Sequence, residues 1–336
     1  MMTERILLAH GSGGKLSHRL TEEIFLPAFG NAWLAPLEDA AVFPIPRGRL
    51  AMTTDSFVVK PLFFPGGDIG RLAVCGTVND LAVSGARPLY LSVGFILEEG
   101  LPLAVLRQIV SSLAATAAEA GVQVVTGDTK VVEKGLADGL YINTAGIGIL
   151  EGERELGARR LKPGDRILVS GSIGQHGIAI LAAREGLELE PPVVTDAAPL
   201  NRMLGDLVER VSGIKAMRDP TRGGLATTLN EWAAAAGVTI RIKEERLPIL
   251  PQVQGACDLF GFDPLYLANE GKALIAVAPE AAEEALQLLY RHPYGREAAV
   301  IGTVTAERPG TVILETAIGG ERILDMLAGE QLPRIC

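Results

Sequence analysis

The residue types that could do chemistry sit in a few short stretches, and the last of them is Pro333-Arg334-Ile335-Cys336, which ends on a cysteine beside a free carboxylate. Nothing follows that thiol to bury it, so a mobile, solvent-reachable tail is expected. Gly329 offers a hinge where an apolar-periodic segment (Ile323, Leu324, Leu327) stops, and Pro333 bars a return to helix. Extended at about 3.3–3.6 Å per residue, the steps from Gly329 to Cys336 carry the sulfur roughly 23–25 Å. That reaches a site on the body or on a partner, and the sequence leaves open whether the tail rests inside or outside the body. Such an arm suits a thiol that does chemistry.

Carboxylates form the second set. Asp39 (LEDAAVF), Asp55 (MTTDSFVV), Asp80 (TVNDLAVSG) and Asp128 (VVTGDTKVV) each interrupt an apolar or small-residue run, and they are expected at strand and helix ends. A lone charge there is costly unless it is paired or bound to metal. With Asn79 and Thr129 alongside, the recurrence fits ATP with Mg²⁺, an ion commonly held jointly by a few carboxylates and substrate phosphates. Asp219 in RDPTRGGL is a fifth such residue, and Gly223-Gly224 after it open a helix whose N-terminus could meet phosphate. The loop His10-Gly11-Ser12-Gly13-Gly14-Lys15 precedes another helical pattern and could cradle phosphate through its backbone N–H groups. It matches neither G-x-x-x-x-G-K-[ST] nor a G-x-G-x-x-G after a strand, so a nucleotide site here is of another type. Glu270, in Asn269-Glu270-Gly271, and Lys134, in Glu133-Lys134-Gly135, are further candidates, the first as a base and the second as a cation near phosphates.

The elements that must position these residues alternate. Apolar spacing of three and four (Leu103, Leu106, Ile109, Val110, Leu113) predicts a helix over Leu103–Ala120 that ends at Gly121. Strands are expected over Leu89–Leu97, Val122–Thr126 and Leu140–Ile149. The second half repeats the mixture, with helices near Pro199–Val211, Gly223–Ala236, Pro251–Phe260 and Ala281–Tyr290. Strands follow near Val238–Ile242, Lys272–Val277, Ala298–Thr303 and Thr311–Glu315. The fold class is α/β with mixed sheets. A polar, loop-like passage over Gly157–Gly164, followed by RILVSGSIGQHG, divides the chain into 1–156, 157–328 and the tail 329–336.

Composition bounds the rest. The chain has 336 residues, 48% hydrophobic and 21% charged, with no apolar run long enough to span a membrane, so a globular protein of two domains is expected. The opening MMTERILLAHGSGGK lacks a basic stretch followed by an apolar one, and a cytoplasmic location is expected. A net charge of −9 disfavours binding to a phosphate backbone. Cys75, Cys257 and Cys336 are odd in number and never form C-x-x-C, which argues against disulfides and structural zinc. Cys75 and Cys257 are expected to be buried as small apolar groups.

Taken together, HGSGGK, TTDSFVVKPLFFPGG, GTVNDLAVSGARP, GFILEEGLP, VTGDTKVVEKG, NTAGIG, RDPTRGGL, NEGK and the terminal PRIC resemble the HypE family of hydrogenase maturation factors. That family is similar to the aminoimidazole ribonucleotide synthetase superfamily, with selenophosphate synthetase and thiamine monophosphate kinase as relatives. The resemblance implies two α/β domains, a homodimer built through the N-terminal sheets, and ATP held with Mg²⁺. It implies Asp39, Asp55, Asp80 and Asp219 as Mg²⁺–ATP ligands and Asp128 and Thr129 as nucleotide contacts. It further implies that a partner, HypF, carbamoylates Cys336, that ATP drives dehydration of that group to thiocyanate, and that cyanide passes to iron in a HypC–HypD complex. Dehydration needs a base, with Glu270 first choice and His10 or Lys134 as alternatives.

Two rival readings remain. Another ATP-dependent member of the superfamily would act on a free small molecule, but a selenophosphate synthetase would need a reactive cysteine in the first glycine loop, which has none. A non-enzymatic adaptor docking through its C-terminal peptide would leave five embedded aspartates without a purpose.

Overall fold

In the computed structural model, residues 5–12, 15–37, 40–41, 48–326, 332 and 334–336 are described. Gly13, Gly14 and Asp39, like the hinge Gly329 and Pro333, lie outside the described residues. Helix α1 (Lys15–Leu20) runs through a π-helical turn at Thr21–Phe25 into α2 (Leu26–Phe29), burying Leu20, Ile24, Phe25 and Phe29.

Alternation of exposed and part-buried residues marks β1 (Arg49–Phe57) as a half-covered strand. After the short pair β2 (Phe63–Phe64) and β3 (Gly67–Asp68) comes α3 (Ile69–Val83). The Asp68 side chain caps α3 by accepting from the backbone N–H groups of Gly70 and Arg71. Strand β4 (Arg87–Glu98), α4 (Leu103–Ala120), β5 (Gln123–Val132) and β6 (Leu140–Leu150) complete a four-stranded mixed sheet of order β1-β6-β4-β5. Helix α4 stops where Gly121 turns left-handed at φ +74°, as its sequence predicts. Thirteen of the fifteen residues of α3 are buried, because it lies between this sheet and the second half.

Strand β5 is longer than its sequence suggests. Its parallel pairing with β4 continues to Val132, so Asp128 and Thr129 lie inside the strand and not after it. Gly127 makes this possible, since a Cβ there would stand 2.4 Å from the Val93 carbonyl oxygen. Asp55 and Asp80 also fall within elements, in β1 and in the last turn of α3.

The second half comprises β7 (Arg166–Val169), α5 (Gln175–Glu185), α6 (Asn201–Arg210), β8 (Ile214–Arg218), α7 (Gly224–Ala236), β9 (Thr239–Lys243), α8 (Pro251–Phe260), β10 (Leu274–Val277), α9 (Ala282–Tyr290), β11 (Ala299–Thr305), β12 (Thr311–Glu315) and β13 (Glu321–Ile323). Its seven strands run in the order β13-β12-β9-β11-β7-β10-β8. The strand of β10 starts two residues later than the apolar pattern suggests, because Lys272 is drawn to Asp196 and does not pair in the sheet.

The two halves interlock. One buried cluster joins the first sheet and its helices to Ile178 and Ile180 of α5, Val253 and Cys257 of α8, and Ile335 of the tail. The Asn79 side chain of α3 spans the halves: its amide donates to the carbonyls of Ala198 (3.0 Å) and Glu270 (3.2 Å) and accepts from the N–H of Leu200 (2.8 Å). Cys75 and Cys257 are fully buried free thiols, and burial pushes both pKa values up, Cys257 to about 12.

Candidate functional site

The site gathers where α3, the end of β1, the loop after β8 and the segment before β10 meet, and the tail enters it. The chain after β1 continues extended, and residues 334–336 lie beside it: the Val58 N–H donates to a main-chain oxygen of Cys336 (3.1 Å) and the Lys60 N–H to the Arg334 carbonyl (3.2 Å). Arg184 donates to the Arg334 carbonyl (2.9 Å), and the Arg334 guanidinium donates to Val58 O (3.1 Å) and pairs with Asp138. Ile335 is buried, and so is Leu332. Burying an Ile or Leu side chain contributes about 1.5–3 kcal/mol each, ample to seat so short a segment.

Seated this way, Cys336 is half-buried and its Sγ accepts from Arg222 Nε at 3.2 Å. Burial and the nearby Glu270 carboxyl push its thiol up to about 11, against the opposing pull of Arg222. Arg222 also reaches Asp55 (3.6 Å). It stands in the loop that leads to Gly223-Gly224, both left-handed at φ +72° and +58°. A Cβ on Gly224 would stand 2.6 Å from the carbonyl oxygens of Leu265 and Leu267, so this glycine pair is needed for close packing of α7.

The carboxylates converge on the same place. Asp55 lies against α3 at Gly76, where a Cβ would come 3.1 Å from its Oδ2. Asp80 accepts from Thr53 Oγ1 (2.8 Å), and its pKa is raised mainly by burial. Burial and then Asp80 raise Asp55. Asp219 is pushed up to about 7 by burial and by Asp80, with Asp55 adding to the effect. Glu270 is buried, with its Oε1 lacking a hydrogen-bond partner among the described residues. Burial, then Asp219, Asp196 and Asp55, raise its carboxyl well above the ordinary range. Like charges held together, with Asp55 and Asp80 half-buried and Asp219 and Glu270 buried, fit a site that receives a cation. No group of three or more His, Cys, Asp or Glu among the described residues is arranged as an all-protein metal site. Mg²⁺ commonly leaves part of its shell to phosphate oxygens, so Asp55, Asp80 and Asp219 remain a suitable donor set.

Three residues of this site escaped sequence reasoning. Asp196 accepts from the N–H groups of Glu270 and Gly271 (3.2 Å each) and pairs with Lys272 (3.4 Å), holding the Asn269–Lys272 segment in place. Arg222 was visible inside RDPTRGGL but carried no sign of facing Cys336. His176 of α5 lies behind the tail, with Nε2 2.7 Å from the Ile335 carbonyl.

Other expected residues lie elsewhere. His10, Gly11, Asp128 and Thr129 line a cavity of about 310 Å³ in the first half, walled by Phe25, Phe29 and Trp33. His10 is buried there with Nε2 unpartnered among the described residues, and Nδ1 accepts from the Leu7 N–H (2.9 Å). Gly11 packs on β5, where a Cβ would stand 2.6 Å from Val131 N. Lys15 begins α1 on the surface. Lys134 is exposed in the β5–β6 loop, beside the Glu98 carboxylate that accepts from Gly135 and Gly139. It does not join the carboxylate cluster. Asn79, expected near nucleotide, has all of its amide hydrogen bonds committed to backbone.

Comparison with known proteins agrees along the whole chain. Residues 37–150 match the model of the N-terminal domain of AIR synthase related proteins, and residues 162–315 match that of the C-terminal domain. Carbamoyl dehydratase HypE of Azotobacter vinelandii is 54% identical over 330 residues, covering 98% of this chain and 96% of the relative. Carbamoyl dehydratase HypE of Escherichia coli (strain K12) is 51% identical over 336 residues, covering 98% and 99%. A crystal structure of hydrogenase maturation protein HypE in complex with ATP superposes with a TM-score of 0.95 at 51% identity, covering 98% of this chain and 99% of that one. A HypE–HypF complex gives a TM-score of 0.81 at 49% identity, covering 92% and 99%. Thiamine monophosphate kinase from Aquifex aeolicus, at 19% identity and a TM-score of 0.61, shares the fold. The chain belongs to the carbamoyl dehydratase HypE family of AIR synthase related proteins.

Proposed function

We propose that this chain dehydrates a carbamoyl group carried on its own Cys336 to a cyano group at the expense of ATP, supplying cyanide for the iron of a [NiFe]-hydrogenase. The observation that carries this reading is the seated tail, which brings Cys336 Sγ against Arg222 and beside Glu270 and Asp55. In the reaction Cys336–S–C(=O)–NH₂ loses its oxygen to the transferred phosphoryl group, leaving as phosphate, and two N–H protons depart as the C≡N bond forms. Mg²⁺, held by Asp55, Asp80 and Asp219 and, by family resemblance, Asp39, would neutralise charge on the phosphates when bound. Arg222 is placed to donate to the carbamoyl group that replaces the thiol proton, orienting it. Glu270, whose carboxyl is pushed up by burial, suits a base that takes the N–H protons. His10, in the cavity of the first half, and Lys134, exposed beside Glu98, are the alternatives for that role. The cavity at His10, Gly11, Asp128 and Thr129 is a second place for nucleotide contacts.

The relative's complex with HypF supports that protein as carbamoyl donor, and a HypC–HypD complex as cyanide acceptor follows from the family's role. A homodimer through the N-terminal sheets is supported by the apolar residues exposed on strands of that sheet, Leu50, Met52 and Ile96. No helix of the described residues is long and apolar enough to cross a membrane. Intact mass of the protein after incubation with HypF, carbamoyl phosphate and ATP tests the whole proposal. A carbamoyl and then a cyano adduct on Cys336 is expected, and an adduct on Cys75 or Cys257 instead would overturn it.

A further inference from the structure

Behind the tail, His176 is fully buried, with its ring edge-on to Phe64 at 5.7 Å. Its Nε2 stands 2.7 Å from the Ile335 carbonyl and its Nδ1 2.7 Å from Thr195 Oγ1. A carbonyl only accepts, so Nε2 carries the hydrogen. Burial holds the imidazole below its ordinary pKa and therefore neutral, so Nδ1 accepts. Thr195 Oγ1 accepts from the Ala197 N–H at 3.1 Å, which leaves its own proton for Nδ1. Every proton in the chain Ala197–Thr195–His176–Ile335 thus has one place to be. The next residue in the same segment, Asp196, accepts from the backbone of Glu270 and Gly271. One short stretch of chain, 195–197, therefore sets both the grip on the residue before Cys336 and the position of Glu270.

We infer that His176 is a positioning residue for the dehydration: its imidazole, kept in one tautomer, holds the Ile335 carbonyl and so fixes where Cys336 Sγ is presented to Arg222 and Glu270. The inference rests on the reading that the carbamoyl group on Cys336 is the substrate, but its first test does not. Arg184 and Arg334 also grip the tail, yet their hydrogen bonds are only part-buried, where water competes. His176 is the buried contact, and its loss strands the Ile335 carbonyl without a donor. Leaving a buried acceptor unpaired shifts an equilibrium by roughly 5- to 150-fold.

Three variants of the full chain test it. His176→Phe keeps the bulk and removes the donor. His176→Gln restores an N–H close to the place of Nε2. Thr195→Val removes the hydroxyl that fixes the tautomer, together with its bond from the Ala197 N–H. Alkylation of Cys336 by iodoacetamide, read by intact mass, is expected to rise roughly 5- to 150-fold in His176→Phe, by a smaller factor in Thr195→Val, and to return towards wild type in His176→Gln. Dehydration of the carbamoylated protein in a single turnover should slow by about tenfold or more in His176→Phe, because a misplacement of about 1 Å can cost up to about 10²-fold. Gln should recover most of that loss, which a merely structural role would not allow. Unchanged alkylation in a folded His176→Phe protein overturns the inference, and should that variant not fold, unchanged alkylation in Thr195→Val does so. Faster alkylation with dehydration at the wild-type rate also overturns it, leaving His176 as an anchor without influence on the chemistry. If wild type itself fails to dehydrate, the proposed function falls, while alkylation still decides whether His176 holds the tail.

Discussion

Cys336 should behave as a poorly ionised thiol for as long as the tail is seated. The folded value near 11, against an ordinary thiol value of 9.0, leaves about one part in a thousand as thiolate at pH 8, where an unperturbed thiol has about one part in ten. Reaction with iodoacetamide at pH 8 should therefore be roughly 100-fold slower than for a synthetic peptide ending in Pro-Arg-Ile-Cys, and slower still because the sulfur is half-buried. The sign follows from the folded pKa being raised: the rate should keep climbing with pH past 9 and level off only near 11, where the peptide has long been flat. Intact-mass time courses from pH 7 to 11 give both curves, and Cys75 and Cys257, fully buried, supply no background in the native protein. A protein rate within about threefold of the peptide, levelling near pH 9, would show that the tail spends most of its time away from the site. The physical implication for the proposed function is that the carbamoylating partner must meet the tail unseated or bring its own base.

Glu270→Gln should leave ATP binding and carbamoylation of Cys336 intact while slowing dehydration by roughly 10²–10⁴-fold, followed by loss of water from the carbamoylated protein. In wild type the same step should quicken as pH rises through a range above that of an ordinary carboxylate, because a carboxyl held well above its ordinary range must first ionise. A wild-type rate in Glu270→Gln would move the base to His10 or Lys134. Asp80→Asn and Asp219→Asn should weaken Mg²⁺-dependent ATP binding by about tenfold or more in calorimetric titration without unfolding the protein, and unchanged affinity in both would mark them as structural. Met52→Glu, on the sheet face away from α3, should shift the particle from dimer to monomer by light scattering, and an unchanged mass would place the interface elsewhere.

Much of the site could be read in advance, and the part that could not has a common cause. Asp55, Asp80 and Asp219 announce themselves because an embedded carboxylate is costly, whereas Glu270 stands out only as an acid just ahead of an apolar strand. The structure does bring these four together near Cys336. Periodicity also predicts α4, α7 and α8 nearly residue for residue. Seating of the tail left no trace in the sequence, because most of its polar contacts run to main-chain atoms and any residue supplies those. His176 and Asp196 were silent for a related reason: each acts on backbone contributed by a distant segment. The extension of β5 past Gly127 was hidden because a glycine next to Asp128 reads as a turn until the β4 backbone is known to approach it. Asn79 sits beside Asp80 but points to the other half, a distinction that only the packing of α3 makes.

The pairing of residues 334–336 with the chain at Val58 and Lys60 resembles a chuck that grips a tool by its shank and leaves the tip free. The gripped atoms are main-chain oxygens of Arg334, Ile335 and Cys336, none of which changes when the sulfur carries hydrogen or, in the proposed function, a carbamoyl or a cyano group. A pocket shaped around the sulfur's substituent would favour one of these three states and resist the others. A hold on the shank accepts all three in turn, so the same seat can receive the loaded tail and release it after the chemistry, with the differences in affinity left to Arg222 and the carboxylates around it.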